Sequence, residues 1–325
     1  MKALSAALAA RLGRDRRRAL YALLAAVVLF ALGELVHPGF AALDSVEAVL
    51  TVASFVGLVA AGQTFVVLIG GIDLSVPWVL NGAAILLVTT SLGEDDRALY
   101  GLLVTLGMGA AVGIVNGIGT AFFEVPAVVI TLAMNGIMEG LTLGLSGGLT
   151  CGACASYAPP IVQRAVHEQI LGAPAELFLW LAVIVIVSFV LGRTRFGRHT
   201  YAIGNNARAS YLAGINVRLV TVVLYALSGL FSALAGIVLV GFGGQASLGM
   251  GTPYLFQSIA AVVIGGVYIL GGRGSYLGAA AGAASLTVLV SVLLALNMPD
   301  YGRSIIYGVV ILVLLLLYGR EEGES

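Results

Sequence analysis

The chain has a single lysine, Lys2, among 325 residues, and charged side chains make up only 10% of it. A Walker-type phosphate loop needs a lysine directly after its glycines, so no such loop can be built from these residues. Soluble domains carry roughly 25% charged residues, and a chain so poor in charge is excluded from that class. Histidine is confined to positions 37, 167 and 199, and cysteine to 151 and 154. These are too scattered for a nucleophile–base–acid set, and no catalytic residues are expected. A closed zinc site takes four ligands, and only His167 lies near Cys151-Gly152-Ala153-Cys154, so no metal site is expected. Acidic and basic residues balance at 16 each, and nucleic acid is not among the expected partners.

What the chain has instead is apolar length. It is 60% hydrophobic with mean hydropathy +1.06. A helix crosses a bilayer with about 20 apolar residues, and apolar windows predict spans at 19–36, 48–70, 74–92, 98–122, 125–146, 176–192, 219–241, 255–270, 275–296 and 303–319. The expectation is an all-α, polytopic bundle of about ten spans in one domain, residues 1–325. The third segment opens with Ser75-Val76-Pro77-Trp78 and is short, which makes it the candidate for a broken or re-entrant helix. The first span follows Arg11, Arg14, Arg16, Arg17 and Arg18 but continues through Glu34 and His37-Pro38. It reads as a retained span rather than a cleaved signal.

An even number of spans puts both termini on one side. With that side cytoplasmic, thirteen basic residues fall inside, against Arg97, Arg164 and Arg303 outside, as the positive-inside rule requires. A cytoplasmic segment of residues 193–218 is then too polar to span, and it is long enough to be folded against something. The outer face carries Glu94-Asp95-Asp96 and the two cysteines, which read there as a local disulfide or two free thiols.

Asp73 interrupts a long apolar stretch: no charge occurs from Ala48 to Ile72 or from Leu74 to Gly93. Ionisable groups at such depth are costly and usually functional. One reading makes Asp73 a pathway or gate residue, with Ser75 beside it and Gln63 and Asn81 within a few turns. The other makes Asp73 or Ser75 the N-terminal cap of the third span, and the two roles can coexist. Asn135 and Glu139 lie four apart on one helical face, either as a buried pair or, the preferred reading, with Glu139 at the outer boundary. Gln63, Asn81, Asn135 and Gln257 are uncharged polar groups within apolar segments and are candidates to line a path. Small residues four apart, Gly109/Gly113/Gly117 and Gly278/Gly282, predict close helix approach. Gly70 and Gly71 in Val66-Val67-Leu68-Ile69-Gly70-Gly71, and Gly265 and Gly266 in Ala261-Val262-Val263-Ile264-Gly265-Gly266, are read as packing glycines in two stretches that look distantly alike.

Three patterns occur in order: Gly-Gly-Ile-Asp-Leu-Ser at 70–75; Arg195-Phe196-Gly197-Arg198-His199-Thr200-Tyr201-Ala202-Ile203-Gly204-Asn205-Asn206 with Leu212-Ala213-Gly214-Ile215-Asn216-Val217; and Ser258-Ile259-Ala260-Ala261-Val262-Val263-Ile264-Gly265-Gly266 with Gly271-Gly272-Arg273-Gly274. Together they closely resemble the transmembrane permease subunit of ribose-type ABC sugar importers over nearly the whole chain. The resemblance implies a bacterial inner-membrane subunit that pairs with a second permease chain, expected to be an identical copy. It also implies a periplasmic sugar-binding protein and separate ATPase subunits that hold ATP and Mg. It implies no cofactor in this chain. In such permeases a short helix of the cytoplasmic segment sits in a groove of the ATPase, and the matching residues here are Asn205, Asn206, Ala207, Arg208, Ala209, Ser210 and Gly214. Ala207-Arg208-Ala209 replaces the usual Glu-Ala-Ala start, and Glu139 stands where a basic residue is common. The competing reading of the loop is a solvated segment whose arginines hold orientation. The competing reading of the whole chain is an ion-gradient-driven secondary transporter using Asp73 and Glu139.

Overall fold

The computed structural model describes residues 2–148 and 157–320. Cys151 and Cys154 lie outside the described residues. The described residues are all-α apart from a hairpin of two two-residue strands and an isolated Tyr157–Gln245 bridge, with elements in the order α1 (Lys2–Val36), α2 (Leu43–Val67), α3 (Val76–Ser91), α4 (Ala98–Phe122), α5 (Ala127–Leu145), α6 (Pro160–His167), β1 (Gln169–Ile170), β2 (Ala173–Pro174), α7 (Ala175–Arg193), α8 (Arg195–Asn205), α9 (Ala207–Leu212), α10 (Val217–Gly243), α11 (Tyr254–Ile264), α12 (Tyr276–Ala295) and α13 (Asp300–Arg320). Among the described residues seven helices are long and apolar enough to cross a membrane, while α3 and α11 are apolar but shorter.

Helix α3 is short at 16 residues, as the third segment was expected to be, and α11, at 11 residues, is a second short apolar helix. Eleven residues rise only ~16 Å, about half of a bilayer core of ~30 Å. The expected span 255–270 stops at Ile264 because Gly266 takes a left-handed φ of 78° and closes the helix. The N–H of Gly266 bonds Val263 O and that of Val267 bonds Val262 O, the paired bonds of a Schellman terminus. Helix α2 ends in the same way, Gly70 (φ 79°) bonding Val67 O and Gly71 bonding Val66 O. The two similar stretches therefore align with Gly70 opposite Gly266, one residue away from the match read in the sequence. Gly70 and Gly266 serve as turn residues. Gly265 is a packing glycine, since a Cβ there would overlap the Gly278 carbonyl of α12.

The most extensive helix pairing is α4 with α10. Added Cβ atoms on Gly109, Gly113 and Gly117 would meet the α10 backbone at Gly229, Tyr225 and Val222, so the two backbones touch along this seam. Around α2 the core closes with α7, α10, α11 and α12 through fully buried Leu58, Phe65, Leu224 and Tyr276. Trp180 Nε1 donates to Tyr276 Oη (3.2 Å), which donates to Gly57 O (2.9 Å), and only glycine at 57 leaves room for the indole. At one end of the bundle Asp95 accepts from the Ile161 N–H (2.6 Å) and pairs with Arg164 (2.8 Å), clipping α6 in place. The opposite end carries α8, α9 and the two glycine turns.

Candidate functional site

Asp73 is 1% exposed, and its carboxylate is filled by donors from its own chain. Oδ1 accepts from the Ser75 N–H (2.9 Å) and the Ser75 hydroxyl (2.6 Å), and Oδ2 accepts from Ser228 Oγ of α10 (2.7 Å). Ser75 Oγ accepts in turn from Asn116 Nδ2 of α4 (2.9 Å). The loop between α2 and α3 is thus clasped to both members of the α4–α10 pair, and its Ile72 carbonyl accepts from Thr131 Oγ1 of α5 (3.2 Å). Among the described residues the ion pairs are Arg164–Asp95 and Arg303–Asp300, and no basic group reaches Asp73. Donors in a chain polarise one another in low dielectric, and here they meet both oxygens of Asp73.

This geometry corrects the capping reading. Ser75 occupies the N-cap position of α3, but in αR conformation and without a side-chain bond to the helix. Its hydroxyl is turned to Asp73 instead. Asp73 takes the N–H two residues ahead in an Asx turn, so the pair organises the entry to α3 rather than satisfying its first-turn N–H groups. Pro77 in the first turn fits that entry.

The remaining polar residues singled out in the sequence do not converge on Asp73. Gln63 is fully buried in α2, with neither amide atom bonded to a described residue. Asn81 Oδ1 accepts from the Met250 N–H (3.1 Å). Gln257 donates to Tyr307 Oη of α13 (3.3 Å). Asn135 is half-buried on α5, on the same face as half-buried Glu139, and its Oδ1 has no described partner. Of the six candidate pathway residues, only Asp73 and Ser75 touch each other. Asn116 and Ser228 were missed. Both are buried polar groups inside apolar helices, directly beside Gly117 and Gly229 of the small-residue seam, and that coincidence was the available signal.

The segment between α7 and α10 is folded, as two short helices. Asn206 caps α9, its Oδ1 accepting from the Ala209 N–H (2.9 Å). Gly214 (φ 83°) ends α9 with the bonds Gly214 N to Tyr211 O and Ile215 N to Ser210 O. Ala207, Arg208 and Ala209 are exposed. Asn205 and Asn206 are exposed as well, with the Asn205 amide donating to Tyr201 O (2.7 Å) and Gly272 O (3.5 Å), whereas Ser210 is buried and donates to Asn206 O (2.9 Å). Between α9 and the turn joining α4 to α5 lies an open cavity of ≈ 1450 Å³, with Glu124, Arg208, Tyr211, Arg218 and Tyr225 on its walls. Ligand pockets for small molecules measure about 300–1,000 Å³. This larger, half-open space is a vestibule, and it leaves α9 unpacked on that side.

The arrangement is a helical bundle with two short helices, α8 and α9, at one end. Comparison with known proteins gives the same frame. Residues 45–315 match the family described as the branched-chain amino acid transport system / permease component. The chain is 32% identical over 302 residues to the ribose import permease protein of Escherichia coli strain K12, covering 92% of this chain and 93% of that protein. It is 33% identical over 310 residues to the autoinducer 2 import system permease protein of E. coli strain K12 / DH10B, covering 94% and 88%. With the ribose import permease protein of Haemophilus influenzae it shares 31% over 296 residues, 90% of each. With matches that run from end to end of both partners, the chain belongs to this family of multi-pass permease components of import systems.

Proposed function

We propose that the chain is the membrane-spanning subunit of an ABC importer that carries a monosaccharide or related polyol across the bacterial inner membrane. The observation that carries the substrate class is 32% identity along 92% of the chain with a ribose import permease. Separate ATPase subunits supply the energy and hold ATP and Mg, and a periplasmic binding protein delivers the sugar. The exposed face of α9 at Ala207, Arg208 and Ala209 is the surface offered to the ATPase, and both termini lie on that cytoplasmic side. A second permease chain, taken to be an identical copy, is supported by α5, where Gly136, Gly140 and Gly144 face open space within the single chain. Asn135, on the same helix, has its Oδ1 buried within the single chain. In this reading Gln63, Asn81 and Gln257 serve the interior of one chain, and Asp73 with Ser75 serves as a structural clasp.

The test is ribose uptake into liposomes holding the chain with its ATPase, with binding protein outside and ATP inside. Uptake should need all three additions and survive a protonophore. Uptake that collapses with the protonophore at constant ATP overturns the importer reading in favour of a gradient-driven carrier. Such a carrier would need Asp73 free to take an ion, and its three bound donors weigh against that.

A further inference from the structure

The last turn of α8 meets the end of α2 and the turn between α11 and α12 backbone against backbone. The Gly272 N–H donates to Leu68 O (2.8 Å). A Cβ on Gly204 would overlap that same carbonyl and the Gly272 nitrogen, and one on Gly271 would stand 2.7 Å from Gly70 N and 3.1 Å from Gly204 O. Tyr201 Oη donates to Gly274 O (2.8 Å), which ties α8 to the far side of the second turn. Apart from Asn205, whose side chain lies against Gly272, these contacts are backbone to backbone. Close-packed interiors transmit strain, and backbone in direct contact has no rotamers through which to absorb a displacement.

Each side of this junction leads somewhere. On one side a single residue, Asn206, joins α8 to α9, and the vestibule gives α9 room to swing. On the other, Gly71 lies two residues before Asp73, whose carboxylate grips α10 through Ser228 and α4 through Ser75 and Asn116. We infer that the Gly204–Leu68–Gly272 junction passes the movement of α9 to the Asp73 clasp, making Gly204 and Tyr201 positioning residues for coupling ATP hydrolysis to transport. The inference rests on the permease reading, because the ATPase is what moves α9. A contact chain becomes a coupling route only when both ends respond to it.

The test uses the complete importer in liposomes, with uptake and ATP hydrolysis measured on the same vesicles for wild type, Gly204→Ala, Tyr201→Phe and Gly192→Ala. Gly192 in α7 faces open space, and its variant should match wild type. Gly204→Ala should lower substrate carried per ATP hydrolysed by about tenfold, the scale of an ordinary coupling energy. Tyr201→Phe, which deletes one hydrogen bond, should lower it by about threefold. If Gly204→Ala does not assemble, Tyr201→Phe decides alone. Wild-type coupling ratios in the assembled variants overturn the junction and leave the permease reading standing. Uptake by the wild-type assembly that needs no ATP overturns both.

Discussion

Replacing Asp73 by leucine should damage the protein far more than replacing it by asparagine. Leucine leaves three buried donors facing a hydrocarbon side chain: the Ser75 N–H, the Ser75 hydroxyl and the Ser228 hydroxyl. An orphaned buried donor costs about 1–3 kcal/mol, although the two hydroxyls can turn to other acceptors, so the expected loss is about 3–5 kcal/mol. Asparagine keeps an oxygen for both Ser75 donors and presents an amide to Ser228 Oγ, which accepts once its proton rotates away, for a loss of about 1 kcal/mol. In thermal unfolding of detergent-purified protein at fixed scan rate, roughly 2–4 °C per kcal/mol gives a small drop for Asp73→Asn and a drop of about 10 °C for Asp73→Leu. Ser228→Ala and Asn116→Ala should fall between them, because each removes one strand of the clasp. Equal damage from asparagine and leucine would refute the reasoning, since it would show that the negative charge itself is required. An unfolding temperature for Asp73→Leu within 2 °C of wild type would refute it from the other side.

The purified chain alone should neither bind nor hydrolyse ATP, having only Lys2 to offer, and turnover by contaminant-free protein would contradict the assignment. Ala209→Glu, on the exposed face of α9, should uncouple stimulated ATP hydrolysis from uptake while the protein still inserts; normal values for both would remove α9 as the ATPase contact. Asn206→Ala should cost α9 its side-chain cap, about 1 kcal/mol, and slow uptake, as read by transport at equal protein. On α4, Gly113→Ala would drive a methyl into the Tyr225 carbonyl and should lower stability by about 3 kcal/mol. Gly107→Ala on the open side of the same helix should change it by less than about 0.5 kcal/mol, and equal effects of the two would deny the glycine seam.

Local pattern was enough for the membrane class, the sequence limits of most helices and the folded segment between residues 193 and 218. Apolar run length and charge placement are properties of neighbouring residues, and they report directly on whether a segment can lie in lipid. The stop after Ile264 was harder to read, because Gly265-Gly266 can sit inside a packed helix or close one, and hydropathy does not distinguish them. The three ordered motifs carried the family resemblance, but they did not say what each residue touches. Asp73 stood out as an expense in an apolar stretch, whereas its partners Ser228 and Asn116 lie 155 and 41 residues away from the groups they bond. Only the approach of α4 to α10 along Gly109, Gly113 and Gly117 brings them within reach. The same holds for Gly204, Leu68 and Gly272, which meet because two helix ends and the loop between α11 and α12 converge and glycine lets their backbones approach. Sequence sets which segments prefer lipid and where helices stop; contacts between distant segments exist only once packing has fixed the distances between them.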